Sequence, residues 1–330
     1  MIRVVLDCMG GDNAPKSTVE GAVWALKEST DIYLILAGQK EAIEKELAGK
    51  EYDATRMEIL DAPEVIETGE PPVAAIQRKK NSSLVLGMKK LKDGEADAFV
   101  SAGSTGAILV GGQTVAGRMK GVKRSPLAIV MPTLAGQSVM VDCGANVDAK
   151  PEVLVQFAIM GTLYAKHILG VENPTVGLIN IGTEEEKGNE LTRATFPLLK
   201  ECASINFVGN VEARDIPYGG ADVLVCEAFT GNVVLKMYEG MAKFLLKKIK
   251  GALKGSVLGS IGGLMIKPSL KSLIKTFDAS EGGGAPMLGL NGLVVKAHGN
   301  SEGKQIKNAI LQCIAFSEND LRGKIEDAIK

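Results

Sequence analysis

Residues 2–15 read IRVVLDCMGGDNAP, a short run rich in β-branched residues that ends at Asp7 and opens into the turn Met9-Gly10-Gly11-Asp12. A helical pattern over residues 16–28 follows it. The unit decides the fold class because it recurs. Apolar runs at residues 2–6, 98–100, 138–141, 176–180, 223–226 and 293–297 each lead into a turn containing glycine. Helices are expected over residues 16–28, 151–169, 188–200, 231–250 and 303–321, several opening at proline or a polar cap. Alternation of this kind predicts an α/β protein with a mostly parallel sheet. Ligands of open α/β sheets bind beyond the carboxyl ends of the strands, so the six turns are expected to converge on one crevice. Helix N-termini there present free N–H groups and a positive dipole end, a setting suited to phosphate.

The chain has 330 residues, 45% hydrophobic and 23% charged, the proportions of a globular protein. Its 39 glycines are about 12% of the chain against an average near 7%. Net charge is -1 and aromatic residues are 4%, which argues against nucleic-acid binding by bulk charge or base stacking. No linker-like or low-complexity tract divides the sequence, so one α/β domain over residues 1–330 is expected. Cys8, Cys143, Cys202, Cys226 and Cys313 are odd in number and without paired spacing, which points to a reducing cytosol and away from disulfides or a zinc site. Asp7 interrupts the first apolar run, so no signal-peptide core is expected there. No apolar run approaches the roughly 18 residues of a membrane span.

Residues 240–277 depart from the rest in charge, with eight lysines and no acidic residue. Within them Val257, Leu258, Ile261, Leu264 and Met265 share one helical face, and Pro268 can start a second helix with Leu270, Leu273, Ile274 and Phe277 on its own face. A protruding amphipathic helical hairpin inserted at about 240–277 is expected. Its apolar faces either cover the body or a second copy, or meet a membrane surface or an acidic partner.

No G-x-G-x-x-G, P-loop, G-x-S-x-G or H-E-x-x-H motif is present, and the two histidines, His167 and His298, are too few for a triad or a metal cluster. His167 reads as an ordinary helix residue. His298 lies past a strand end, either lining the crevice or bonding its own turn. Ser101, Gly103, Ser104, Thr105 and Gly106 follow a strand directly and suit a phosphate cradle, although hydroxyls there equally cap a helix. Gly10, Gly11 and Asp12 pose the same choice. Asn146 and His298 belong to further turns of this kind. The loop at 180–190, NIGTEEEKGNE, places one lysine, Lys187, among acids beside Asn180 and Gly182. Lys187 either points into the crevice or pairs with Glu184 to Glu186. Asn232, after Gly231, either donates to an anion or caps a helix.

Eight ordered blocks carry a family resemblance that runs nearly end to end. They are LDCMGGDNAP (6–15), RKKNSS (78–83), SAGSTGA (101–107), VDCGANVDAKP (141–151), GLINIGTEEEKGNE (177–190), GNVEARD (209–215), FTGNVVLK (229–236) and GGAPMLGLNGLVVKAHGN (283–300). Together they resemble the bacterial acyl-ACP:phosphate acyltransferases of phospholipid synthesis, the PlsX family. The resemblance implies a three-layer αβα, isocitrate/isopropylmalate dehydrogenase-like fold shared with phosphotransacetylases. It implies a homodimer that reversibly transfers a fatty acyl group from acyl carrier protein to inorganic phosphate, without cofactor or metal. The acyl phosphate would pass to a membrane glycerol-3-phosphate acyltransferase, placing the protein in the cytoplasm, peripheral to the inner face of the membrane. By position, Lys187 and Asn232 match the family's proposed catalytic pair. Asn13 stands where His is usual, Ser104 where Asn is, Glu227-Ala228 where Asp-Gly is, and Asn300 where Ser is.

Three other readings are separable by experiment. A phosphotransacetylase would use acyl-CoA, and a dehydrogenase of the same architecture would need a metal-binding carboxylate set and an adenine site with no clear residues here. A scaffold would bind carrier protein or lipid through Lys254, Leu258, Ile261, Leu264, Lys267 and Lys271 without cleaving a thioester.

Overall fold

The structure, a computed structural model, describes residues 1–256, 262–267 and 283–329. The strands fall into two sheets where the sequence suggests one. The first sheet grows from β1 (Ile2–Asp7), followed by α1 (Lys16–Glu28), β2 (Ile32–Gly38), α2 (Lys40–Leu47) and β3 (Met57–Asp61). After α3 (Pro72–Arg78) and α4 (Ser83–Lys92) comes β4 (Ala98–Ser101), then α5 (Thr105–Gly111). The second sheet is built from β5 (Ala128–Thr133), β6 (Gly136–Val141), β7 (Thr175–Asn180), β8 (Asn206–Glu212) and β9 (Val223–Val225), with α6 (Pro151–His167), α7 (Glu190–Glu201) and α8 (Ala228–Lys254). The chain returns to the first sheet with β10 (Ala285–Met287) and β11 (Leu293–Lys296) and ends in α9 (Gly303–Glu318) and α10 (Leu321–Ala328).

The orders are β10-β11-β4-β1-β2-β3 and β5-β6-β9-β7-β8. Every pairing is parallel except β10 with β11 and β5 with β6, both at edges. Those edges meet. Leu127 bridges to Met287, and the Leu288 N–H donates to the Pro126 carbonyl at 3.0 Å. Pro126 and Pro286 have no N–H to extend a ladder across this seam, which fits two sheets rather than one continuous array.

Central strands are apolar on both faces because helices cover both. Val4, Leu6 and Val100 pack under α1 and α9, while Val5, Phe99 and Val294 pack under α4 and α5. Gly21 of α1 allows the close crossing with α9, since a Cβ there would stand 2.6 Å from the Ile306 Cβ. Pro151 starts α6, and Val153, Leu154, Phe157, Ala158, Gly161 and Tyr164 turn its apolar stripe onto the second sheet. Full burial of such a side chain contributes about 1.5–3 kcal/mol.

Several boundaries differ from the sequence reading, for local reasons. The helix expected at 188–200 starts at Glu190, capped by the Asn189 side chain, and the one expected at 231–250 spans Ala228–Lys254, capped by Glu227. The pattern at 303–321 breaks where Asp320 takes a left-handed conformation at φ 44° and caps α10. Strands β2, β3, β5, β8 and β10 escape a search for runs that lead into glycine turns. Residues 240–254 continue α8 without a new start, residues 262–267 are helical, and Leu264 is exposed. The rest of the expected hairpin, including Leu258, Ile261 and Lys271, lies outside the described residues.

Candidate active site

Each sheet ends a central strand in Asp-Cys, and the aspartate organises the turn after it. Asp7, at the end of β1, is buried and accepts the Ser101 hydroxyl at 2.7 Å and the Met9 N–H at 3.2 Å. Ser101 Oγ in turn accepts the Gly103 N–H at 3.0 Å. A Cβ on Gly10 would lie 2.5 Å from Asp7 Oδ2, so only glycine admits this approach of the turns after β1 and β4. The turn after β11 joins them, the Asp12 N–H donating to the Gly299 carbonyl at 2.8 Å and the Asn13 amide to the Asn300 carbonyl at 3.1 Å.

Asp142, after β6, has a fuller set of donors. It accepts the N–H groups of Leu127 (3.0 Å), Gly144 (3.1 Å), Ala145 (3.0 Å) and Asn146 (2.8 Å), and the Asn146 amide (2.7 Å). Burial nevertheless pushes both carboxyls above the usual carboxylate range, against these hydrogen bonds. The Ala228 N–H donates to the Asn146 carbonyl at 3.0 Å, and Gly231 sits so close to the Asp142 carbonyl that a Cβ would be 1.9 Å from it. The start of α8 is thereby fixed on the Asp142 turn. Beside it, after β7, Asn180 donates to the Lys187 carbonyl at 3.1 Å and Asn210 to the Glu184 carbonyl at 2.8 Å, fixing the acid-rich loop. Because β6, β9 and β7 are parallel neighbours, these loops share one edge of the second sheet.

The turns therefore gather in two groups, one at the carboxyl edge of each sheet, and α8 links them. Seen along its axis it has three faces. Ala228, Gly231 and Leu235 are buried; Phe229, Val233, Met237, Met241 and Phe244 are exposed; Asn232, Lys236 and Glu239 lie between them at spacings of four and three. This third face is turned to the end of β11, since Lys236 and Glu239 both act electrostatically on Lys296 and His298.

Several expected site residues direct their side chains into the protein. Ser101 donates to Asp7, and Asn146 donates to Asp142 and to the Ser125 carbonyl at 3.0 Å. Ser104 caps α5 by accepting the Ala107 N–H at 3.4 Å, and Gly106 abuts Pro72. Asp12 caps nothing, since α1 begins without a side-chain cap. Asn232 is no cap either, because Glu227 accepts the N–H groups of Phe229 at 2.5 Å and Thr230 at 3.0 Å. The four departures from the family pattern keep local roles: Glu227 and Ser104 cap, Asn13 ties two turns, and Asn300 hydrogen-bonds His298.

Lys187, Asn232, His298 and Asp12 are exposed at these turns, and Thr105 is half-buried after β4. Glu185 pairs with Lys200 at 2.7 Å, and the Lys187 ammonium has no ion pair among the described residues. Burial raises the thiol pKa of Cys8, Cys143 and Cys226 well above the ordinary value and that of Cys313 to about 12, so these four offer no thiolate near neutral pH. Asp7, Asp142 and Lys296 are not among the residues expected from sequence; for the two aspartates the signal is the repeated Asp-Cys that closes an apolar run before a glycine turn. A cavity of about 430 Å³ lies at the opposite, amino-terminal ends of the first sheet's strands, lined by Ile2, Asp97, Leu293 and Phe316, away from all of these turns.

The model of a family described as fatty acid synthesis protein matches residues 2–323. A phosphate acyltransferase of Clostridium perfringens is 50% identical over 328 residues, covering 99% of this chain and 97% of that protein. The chain belongs to the phosphate acyltransferase family. One from Clostridium tetani is 47% identical over the same span, covering 99% and 98%. Among solved structures, a phosphotransacetylase from Streptococcus pyogenes superposes with a TM-score of 0.62 at 18% identity, covering 96% of this chain and 94% of that one. The chain, a member of a family of transferases, thus shares the overall fold of that phosphotransacetylase.

Proposed function

We propose that the chain transfers a fatty acyl group from the thioester of acyl carrier protein to inorganic phosphate. The product is an acyl phosphate for a membrane glycerol-3-phosphate acyltransferase. The observation that carries this reading is the placement of an unneutralised Lys187, in the loop after β7, and Asn232, in the first turns of α8 after the neighbouring β9, at one sheet edge in a chain of this family. The second ionisation of inorganic phosphate falls near neutral pH, so a substantial share of it is already a dianionic nucleophile without a base. Its oxygen bonds to the thioester carbon, the tetrahedral oxyanion collapses, and the carbon–sulfur bond breaks. The leaving thiol, of pKa about 8.5, departs as thiolate and takes a proton from water. Asn232 donates to the oxyanion, Lys187 neutralises phosphate or oxyanion charge, and N–H groups of the glycine turns hold phosphate. Position and oriented donors suffice for this step.

The exposed apolar face of α8, with Phe229 at 66%, Met237 at 64% and Phe244 at 51% exposure, supports a homodimer. The lysine-rich segment, whose sequence carries Lys254, Lys267 and Lys271 together with Leu258, Ile261 and Leu264, is suited by its charge to the acidic carrier protein and the inner membrane surface. The charge of this segment supports a cytoplasmic protein peripheral to the membrane as part of the proposal.

Release of free thiol from long-chain acyl carrier protein and from the matching acyl-CoA, with and without phosphate, tests the donor. Phosphate-dependent release from the carrier protein is expected. Faster release from acyl-CoA would favour the phosphotransacetylase reading, which the shared fold brings forward.

A further inference from the structure

Lys296 closes β11 in register with Ser101 of β4, so it stands on the sheet face that carries Asp7 and Ser101 and at the same carboxyl edge. Its neighbours in sequence, Val295 in β11 and Ala297 just past it, are buried in the core, and Lys296 itself is half-buried. The ammonium has no hydrogen bond and no ion pair among the described residues. The charged groups acting on it are Lys236 and Glu239 of α8, and these pair with each other at 3.7 Å. His298, two residues on, is held below its ordinary pKa by burial first and by Lys296 second, and an imidazole offers no negative charge in either state. Asp7 is already engaged by Ser101 and by the Met9 N–H. The junction of β11 with α8 therefore holds two ammonium groups against one carboxylate.

A partly desolvated cation with three donors and no acceptor is costly unless an anion completes it. The anion-shaped place is defined on both sides. Asn232 lies one helical turn before Lys236 on the same face of α8, and the turns at Gly10, Gly103 and Gly299 close together beside the end of β11.

We propose that Lys296 is a phosphate-binding residue of the active site, placing its ammonium against the attacking phosphate on the side opposite Lys187. The assignment rests on the acyl-transfer reading above and adds a residue to it. Lys187 comes from the second sheet and Lys296 from the first, so phosphate is held across the two sheets, with Asn232 beside it for the carbonyl.

The test is thermal unfolding of the full chain as sodium phosphate is titrated at constant ionic strength, for wild type, Lys296→Met and Lys296→Arg. Phosphate raises the wild-type midpoint. Lys296→Met requires about ten- to a hundredfold more phosphate for the same rise, the scale of a lost charged hydrogen bond, and Lys296→Arg recovers part of the difference. Without phosphate, Lys296→Met melts no lower than wild type, because an apolar chain of similar length replaces an unpaired charge. If Lys296→Met does not fold, Lys296→Gln carries the same comparison. In steady state the KM for phosphate rises and the KM for the thioester stays within about twofold. Equal phosphate response in wild type and variant, or no response in wild type, overturns the assignment. The melting readout needs no acyl donor, so a failure of the acyl-transfer reading shows separately, as wild-type enzyme that binds phosphate but cleaves no thioester.

Discussion

At the residue scale, the candidate site divides into groups that hold the protein and groups that face outward. Asp7, Asp142, Ser101 and Asn146 are turned inward and satisfied by one another and by turn N–H groups. Lys187 and Asn232 face outward. Replacing either by Ala is expected to lower turnover by about a hundredfold to a thousandfold, the usual cost of one oxyanion donor, with the melting temperature nearly unchanged because both side chains are exposed. Near-normal turnover in a steady-state assay would remove that residue from the mechanism. His298 reports on its surroundings. Its folded pKa lies below 6.5, so the unfolded chain binds the proton more readily, and its contribution to stability is lost as pH falls from about 6.5 through the folded value. Lys296→Met removes one cause of that depression, so the His298 pKa is expected to rise in an NMR titration. With only His167 and His298 to assign, the measurement is direct, and an unmoved value would separate the two side chains.

At the element scale, the Asp142 turn and the start of α8 are one construction. Asp142→Ala leaves four buried or half-buried N–H groups without their acceptor, and a loss of at least about 3 kcal/mol in urea unfolding is expected. Gly231→Ala forces a Cβ into the Asp142 carbonyl and is expected to shift α8, lowering activity along with stability. A stable and fully active Gly231→Ala would mean that α8 does not position the site. Several elements were legible from residues alone: α1 matched residue for residue, and β1, β4, β6, β7, β9 and β11 were found from their glycine turns. The start of α8 was not, because Gly231 resembles a helix opening while the capping group is Glu227, four residues earlier. Side-chain direction was also hidden. Ser101 and Asn146 have the composition of phosphate ligands, and only the register of β4 and the fold of the Asp142 turn aim them inward.

At the scale of the whole molecule, the two-sheet arrangement places candidate groups on both carboxyl edges, with α8 spanning between. A sequence search by strand and turn finds each edge but cannot pair them. Lys296 is illegible in the sequence for that reason, since its meaning depends on Lys236 and Glu239, about sixty residues earlier. The exposed face of α8 makes a prediction of its own. Met241→Glu combined with Phe244→Glu is expected to convert a dimer to monomer in sedimentation velocity, and an unchanged mass would place the dimer contact elsewhere.

The most direct test of the central claim is to incubate the protein with long-chain acyl carrier protein and radiolabelled phosphate, and to count labelled acyl phosphate against free thiol released. One labelled acyl phosphate per thiol, formed about a hundredfold to a thousandfold more slowly by the Asn232→Ala variant, is the predicted result. Thiol release that does not depend on phosphate, or that yields no labelled acyl phosphate, would contradict direct attack of phosphate on the thioester.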